Sequence, residues 1–368
     1  MIRVLNIISD SNIGGAGRVL LSYLKNADRE SFEILTAVPR GSLLKAPLEA
    51  LGGKVYEVDG LAERSYHRDD VKTLRALIRE VKPDIVHTHG ALSGRIAARQ
   101  EGVGAVVMTK HCPAARGSVA GRLGHAALDP MLSDAMIAVS ETVGRQLTAA
   151  GTPRRLVTVV RNGITPVEPP TEQEETALRE RFGMDKEHLW IGVAARLEPV
   201  KGVDLFLKAA ELLAGREDLR FMIWGTGSME ETLRAQAAPL GDKVRFGGFV
   251  SEIEQALSLL DVAVVSSRSE AICLSAIEAL SMGTPVVGFD VDGVSEVVRE
   301  GETGFLAPPE DVSALAERIL RLADDRRLRR QMGEAGEKMV RETMTARQMA
   351  REIEAVYRKT LKGAEHGT

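Results

Sequence analysis

Residues 262–278, VAVVSSRSEAICLSAIE, pass from a β-branched apolar run, through the polar Ser266, Ser267 and Ser269, into the helical spacing of LSAIEAL. A short apolar run bounded by turn residues reads as a buried parallel strand. The helix that follows meets no breaker before Gly283 and Pro285, and its expected start is near Ala271. Open α/β sheets bind ligands at such strand ends. A helix N-terminus placed there offers unpaired N–H groups and a positive dipole end to a phosphate. Glu270 precedes this helix and Glu278 lies about two turns, roughly 12 Å, along it. A sugar nucleotide laid along the helix would set one carboxylate near its sugar and the other near its ribose. Taken alone, the pair reads more readily as solvated surface charge.

The same alternation runs through the whole chain. VLNIIS, FEILTAVP, KVYEVD, DIVHTH, AVVMTKH, MIAVS and VTVV read as the strands of a first unit. LWIGVAA, RFMIWGTG, VRFGGF, VAVVSS, TPVVGFD and GFLAPP read as those of a second. Helical segments such as RVLLSYLKNA, VDLFLKAAELLAG and MEETLRAQAAPL fall between them, which implies two parallel, doubly wound α/β sheets covered on both faces. Proline and acidic residues gather in TPVEPPTEQEE, residues 165–175, as in a linker. Two such units are expected to leave a ligand cleft between the carboxyl ends of their strands. A last helix over 345–362 has Met349, Ile353, Val356 and Tyr357 on one side and is expected to pack across the seam. The expected division is 1–165, 166–342, and a helix within 343–368 that returns to the first domain.

A chain of 368 residues with 44% apolar content can bury two cores. Its two cysteines, Cys112 and Cys273, are too few for a disulfide framework and suit a reducing cytosol. No stretch resembles a signal peptide or approaches the roughly 20 apolar residues of a membrane span, so a soluble cytoplasmic protein is expected. Charge is lopsided: 22 basic against 16 acidic residues over 1–165, and 26 against 36 over the remainder. With 4% aromatics and no concentrated basic patch, nucleic acid is not an expected partner. The basic first half is compatible with peripheral docking on the inner face of an anionic membrane. Arg64, Arg68, Lys72, Arg75, Arg79 and Lys82 recur at helical spacing, although the interspersed Asp69, Asp70 and Glu80 favour a solvated face.

Gly14, Gly15 and Gly17 follow the first strand, where glycine permits positive φ and close approach to an anionic ligand. The run lacks the third glycine of a dinucleotide fingerprint, and the second strand ends in Val38-Pro39-Arg40 with no acidic residue, which argues against NAD. In the second unit, Arg196 and Lys201 sit on the loop after a strand, with Gly202 before a helix. Two cations there can neutralise a diphosphate, the arginine as a fork of donors and the lysine as a point charge. By themselves they also fit a surface salt bridge.

Together these pieces form an ordered set. GGAGR, PDIVHTHG (83–90), DAMIAVSE (134–141), RNGI (161–164), GVAARLEPVKG (192–202), the Glu270/Glu278 pair and EALSMGTPVVGFDVDGVSEVVREGETGFL (278–306) follow one another along the chain. The chain resembles the retaining glycosyltransferases of family four, which have the GT-B fold, over nearly its whole length. The resemblance implies transfer of a hexose-type sugar from a nucleotide diphosphate donor to a saccharide or lipid-linked acceptor, in cell-envelope glycan or glycolipid synthesis. It implies that Arg196 and Lys201 bind the diphosphate, that Glu278 accepts from the ribose hydroxyls and that Glu270 holds the transferred sugar. It brings Gly14 and Gly15 to the donor phosphate, and His111 to the donor sugar near the anomeric centre. Many members have Glu-Gly-Phe-Gly after the first glutamate, whereas this chain has Glu270-Ala271-Ile272-Cys273. The N–H groups of Ile272 and Cys273 are still expected to face the phosphate, since a helix N-terminus requires no glycine.

His87, His89, His111 and Cys112 imitate a metal site, with His87 and His89 on one face of a strand. No carboxylate pattern supports them, and the resembled family needs neither metal nor other cofactor. Asp290 and Asp292 imitate a metal-binding acidic pair but are better explained by turn formation before Gly293. Retention by double displacement would need a carboxylate nucleophile. The resemblance implies instead same-face substitution, in which the leaving phosphate oxygen takes the acceptor's proton. UDP is favoured over GDP. The alternatives are a nucleotide-sugar 2-epimerase of the same fold and a non-catalytic nucleotide-sugar-binding regulator.

Overall fold

A computed structural model describes residues 1–62, 64–112 and 119–365. The chain divides into two compact units, Met1–Thr165 with Thr345–Thr368, and Pro166–Met344.

The first unit contains a seven-stranded parallel sheet: β1 (Ile2–Ile8), β2 (Phe32–Pro39), β3 (Lys54–Val58), β4 (Ile85–His89), β5 (Ala105–Lys110), β6 (Ala135–Ala138) and β7 (Val157–Val159). Their order is β3-β2-β1-β4-β5-β6-β7. The strands are apolar runs rather than alternating ones because helices cover the sheet: Leu5, Ile7, Leu35, Ala37, Val86 and Val106 share one core with Leu74, Ile78 and Val81 of the helix Arg68–Val81. The helix Ala346–Glu365 belongs to this unit and lies against the helix Gly15–Asn26 and strands β5 and β6. It buries Met349, Ile353 and Val356, each contributing roughly 1.5–3 kcal/mol. Its Tyr357 ring meets Tyr23 and Phe32 with centroids 6.3 and 5.8 Å apart.

The second unit repeats the architecture with β8 (Leu189–Ala194), β9 (Leu219–Trp224), β10 (Val244–Gly248), β11 (Val262–Val265), β12 (Val286–Phe289) and β13 (Gly304–Ala307), ordered β10-β9-β8-β11-β12-β13. Ile191, Ile223, Val264 and Val287 pack with Phe206, Leu315 and Ile319 from the covering helices. In each sheet the order reverses beside the first strand, between β1 and β4 and between β8 and β11, the switch points at which such sheets bind ligands.

The acidic half of the expected linker is helical. Thr171 caps the helix Glu172–Phe182 in a reciprocal box with Glu174, so that Glu172, Glu174 and Glu175 form its first turn, where negative charge meets the positive dipole end. Only residues 166–170 remain as a connection without regular structure before this cap.

Candidate functional site

In the second unit, the loops after β8 and β11 meet at the switch point. A 3₁₀ turn, Pro199–Lys201, follows β8, and Gly202 closes it at φ 61°. A Cβ on Gly202 would lie 2.0 Å from the Ser266 carbonyl oxygen, so only glycine lets the two loops come this close. Arg268 clasps them together: its N–H donates to the Val200 carbonyl at 2.8 Å, and its guanidinium donates to the Pro199 carbonyl and to both carboxylate oxygens of Asp204. The hydrogen bonds from Arg268 hold the Asp204 carboxyl below its ordinary range.

On this frame Lys201 Nζ donates to Glu270 Oε1 at 2.6 Å, and Ser267 Oγ donates to the same oxygen at 2.7 Å. Both side chains of the ion pair are mostly withdrawn from solvent. Arg196, on the same loop as Lys201, is exposed and makes no ion pair among the described residues. Glu278 sits in the helix Leu274–Ser281 and is 2% exposed. A carboxylate that far from water is retained only where polar partners or ligand repay its desolvation.

The helix begins at Leu274, not near Ala271. The reason is Gly293. Its N–H donates to the Glu270 carbonyl at 3.1 Å, and its carbonyl accepts from the Cys273 N–H at 3.2 Å, which keeps 270–273 outside the helix. Cys273 therefore has no spare N–H to offer a phosphate; among the described residues the Ile272 N–H donates to none. A Cβ on Gly293 would come within 2.6 Å of Ile272 Cα, so glycine is required here as well. Burial raises the Cys273 thiol to about 12, which leaves it an apolar spacer. Asp292 opens the short helix Asp292–Ser295 beside Gly293.

In the first unit, Gly14 is the N-cap of the helix Gly15–Asn26 with φ −85°, and none of Gly14, Gly15 and Gly17 uses the positive φ that glycine permits. Gly17 packs against Leu44: a Cβ there would be 2.7 Å from Leu44 Cδ2, so the leucine side chain would have to shift to admit it. At the ends of β4 and β5 three imidazoles stack. His87 and His89 have centroids 4.5 Å apart, and His89 and His111 5.1 Å. His87 is fully engaged, Nδ1 with the Tyr357 hydroxyl at 2.6 Å and Nε2 with Thr109 Oγ1 at 2.7 Å. His89 Nδ1 bonds His111 Nε2 at 2.8 Å, and His89 Nε2 bonds Asn6 Oδ1 at 3.3 Å. Burial pushes His87 down to about 3 and His111 to about 4, and drives His89 well below the ordinary imidazole value. The stack is thus neutral at physiological pH. Among the described residues no group of three or more His, Cys, Asp or Glu could hold a metal ion.

Sequence reasoning missed Ser267 and Arg268 as partners in the Glu270 loop, Gly293 beneath it, and Asn6. Asn6 had a signal: it is the polar interruption of VLNIIS, fully buried in the centre of β1. The basic face expected over 64–82 is largely neutralised, since Arg64 pairs with Asp70, Lys72 with Asp69, and both Arg75 and Arg79 with Glu101. Arg116 and Arg122 add a second basic stretch to the first half of the sequence; Arg116 lies outside the described residues, whereas Arg122 is exposed on the helix Val119–Leu132. No helix among the described residues is long and apolar enough to cross a membrane.

Comparison with known proteins gives matches on both units. Residues 13–168 match the family model Glycosyltransferase Family 4, and residues 174–339 match Glycosyl transferases group 1. Alpha-D-kanosaminyltransferase of Streptomyces kanamyceticus is 35% identical over 169 residues, 45% of this chain and 44% of that protein. The lipopolysaccharide core biosynthesis mannosyltransferase LpsB of Rhizobium meliloti (strain 1021) is 30% identical over 250 residues, 65% of this chain and 70% of LpsB. The chain spans about half the length of the first curated relatives it matches. The crystal structure of Anabaena Alr3699/HepE in complex with UDP-glucose has a TM-score of 0.85 at 20% identity, covering 98% of this chain and 100% of that one. At that identity the likeness is one of fold. With family models on both halves, LpsB matched over most of its length and two doubly wound sheets of this strand order, the chain belongs to glycosyltransferase family 4 and has the GT-B fold.

Proposed function

We propose that the chain is a retaining glycosyltransferase that moves a hexose-type sugar from a nucleotide diphosphate donor, UDP-linked in preference to GDP-linked, to a hydroxyl of a saccharide or lipid-linked acceptor. The observation that carries this reading is the Lys201–Glu270–Ser267 constellation at the strand-order reversal of the second unit, with exposed Arg196 on the same loop and buried Glu278 in the following helix. In this reading Arg196 and Lys201 stabilise the charge that develops on the departing diphosphate; preorganised charge of this kind usually lowers an enzymatic barrier more than any other single effect. The Ile272 N–H adds a neutral donor, and Gly14 and Gly15 are assigned to the phosphate. Glu278 accepts from the ribose hydroxyls, Glu270 from the transferred sugar, and the same reading gives His111 a contact to that sugar.

Glu270 Oε1 already accepts from a cation and a hydroxyl. That suits a carboxylate that holds a sugar hydroxyl better than one that attacks carbon. Same-face substitution, with the leaving phosphate oxygen taking the acceptor's proton, fits this role. The reaction needs no metal, because side-chain cations stand where a metal would neutralise the diphosphate. HepE, solved with UDP-glucose, and relatives named as a 2-deoxystreptamine glucosyltransferase and a lipopolysaccharide core biosynthesis mannosyltransferase support the donor class and a place in envelope or natural-product glycan synthesis.

The acceptor side of this reading is a peripheral site on anionic lipid. The helix Val119–Leu132 supports it by exposing Val119, Leu123, Leu128 and Met131 beside Arg122, while its single acidic residue, Asp129, is buried. Sedimentation with anionic vesicles at low salt, lost at high salt, is the expected result; equal partitioning to neutral vesicles refutes it.

A panel of nucleotide sugars in a thermal-shift assay tests the donor, because a ligand at 100 times its Kd stabilises by about 2.7 kcal/mol. Product anomeric configuration by NMR then tests retention. No shift with any nucleotide sugar, or an inverted product, refutes the reading.

A further inference from the structure

The imidazole stack of the first unit ends in an unusual atom. His111 Nδ1 is shielded from solvent and has no hydrogen-bond partner among the described residues, while Nε2 of the same ring is bonded to His89. A buried polar atom without a partner is costly, and a ligand that donates to it would remove that cost.

The chain of contacts behind it crosses the switch point, from Asn6 in β1 to His89 at the end of β4 to His111 just after β5. Each step constrains the next. His89 is neutral and owns a single N–H. In the orientation the Asn6 amide takes, Oδ1 faces His89 Nε2 and can only accept, so the His89 proton lies on Nε2, while Asn6 Nδ2 is left buried without a partner among the described residues. His89 Nδ1 is then a lone pair, and the 2.8 Å contact requires His111 to donate to it from Nε2. Neutral His111 is left with Nδ1 unprotonated. His87 stacks on His89 but bonds only to Tyr357 and Thr109, so it does not enter this relay.

We propose that Asn6 and His89 are positioning residues that fix the proton of His111 on Nε2, leaving the Nδ1 lone pair to accept a hydrogen bond from a sugar hydroxyl of the ligand. This rests on the assignment of His111 to the donor sugar. It adds that the contact has a direction, hydroxyl to imidazole, and that the direction is set two residues away by an amide in the centre of the sheet. A hydroxyl lost from the sugar, or replaced by a group that cannot donate, then leaves Nδ1 unsatisfied. Discrimination therefore favours sugars that present a donor there.

Imidazole ¹⁵N NMR on the wild-type chain, labelled at histidine, reads the proton directly at pH 7. The expected spectrum has the protonated-nitrogen signal at Nε2 and the lone-pair signal at Nδ1 for both His89 and His111. Asn6→Ala removes the acceptor, so His111 is expected to sample both tautomers and kcat to fall about tenfold, the scale of one neutral hydrogen bond, with affinity for free nucleoside diphosphate unchanged. A proton on Nδ1 of wild-type His111 overturns the relay whatever the kinetics show, and does so without recourse to any variant's folding. Unaltered turnover in His111→Ala overturns the ligand contact, and with it the donor-sugar assignment, even if the tautomers are as stated.

Discussion

Replacing Gly202 by alanine tests the frame on which the candidate site is built. Gly202 holds φ 61° between the 3₁₀ turn Pro199–Lys201 and the helix Val203–Leu212. An alanine Cβ would stand 2.0 Å from the Ser266 carbonyl oxygen and 3.0 Å from its carbon. The left-handed conformation costs alanine about 1–2 kcal/mol. To restore van der Waals separation the loops after β8 and β11 must part by roughly 1 Å or more, an overpacking cost of about 1–3 kcal/mol. The sum, about 2–5 kcal/mol, corresponds to a fall in Tm of roughly 5–20 °C for a unit of this size. The same movement lengthens the 2.6 Å contact between Lys201 and Glu270, because one residue sits immediately before Gly202 and the other on the opposing loop. Misplacement on this scale costs about 100-fold in turnover. Differential scanning calorimetry and kcat/KM on the variant, with Gly215→Ala as a control whose added Cβ meets nothing within 4 Å, separate the two effects. A Gly202→Ala protein with wild-type Tm and turnover would mean that the loops are not held at this spacing in solution, and the constellation would lose its geometric basis.

Arg196→Ala is expected to lower kcat/KM by about 100- to 1,000-fold with little change in Tm, because the side chain is exposed and makes no ion pair among the described residues; near-normal turnover removes it from the diphosphate. Lys201→Ala should match that loss and also lower Tm, since Glu270 keeps only the Ser267 hydroxyl. Glu278→Gln halves the acceptors available to two ribose hydroxyls and should weaken nucleoside diphosphate binding about 10- to 100-fold by calorimetry; equal affinity defeats the ribose role. EDTA should leave turnover intact, and loss restored by manganese or zinc would return attention to the carboxylates and imidazoles set aside above. Acid unfolding carries a sign fixed by the imidazole stack. Below about pH 6.5 the unfolded chain binds protons on these histidines that the folded chain refuses until about 4 at His111 and about 3 at His87. Stability therefore falls as pH falls through that window, by up to about 1.4 kcal/mol per pH unit for each histidine, and His87→Gln should flatten the slope in urea unfolding measured from pH 7 to 4.5.

The fold was legible because a covered parallel sheet leaves a strong mark: most strands are short apolar runs ended by turn residues, the edge strands β3 and β10 being the more polar, and each run named from the sequence corresponds to a strand of the structure. Element ends were less legible because they depend on partners far along the chain. Nothing between Ser266 and Glu278 says that the helix starts at Leu274; that is set by Gly293, which lies beyond β12 in the sequence and takes the amide and carbonyl of the loop. In the acidic stretch after Pro170, a linker and a capped first turn share one composition, and only the reciprocal bonds of Thr171 and Glu174 distinguish them. The candidate site residues were named through the family resemblance, since taken alone their spacing also fitted solvated charge and a surface salt bridge. That Lys201 and Glu270 touch, across an interval of sixty-nine residues, required the strand order that sets β8 beside β11. Asn6 was visible as an oddity in an apolar strand, but its meaning depends on the histidines of two other strand ends.

The first unit is interrupted: its chain leaves after Thr165 and rejoins it only at Thr345. On the ribosome its seven strands emerge long before the helix Ala346–Glu365, which covers Tyr23 and Phe32 and supplies the Tyr357 partner of His87. The second unit is continuous, and its last residue precedes the helix that the first unit still lacks. Birth order and completion order are thus reversed, and the earlier-made half waits with part of its apolar surface bare. A chain truncated after Met344 would hold every residue of the second unit but lack the helix that covers Tyr23 and Phe32 in the first, a difference that limited proteolysis of the truncated chain can reveal.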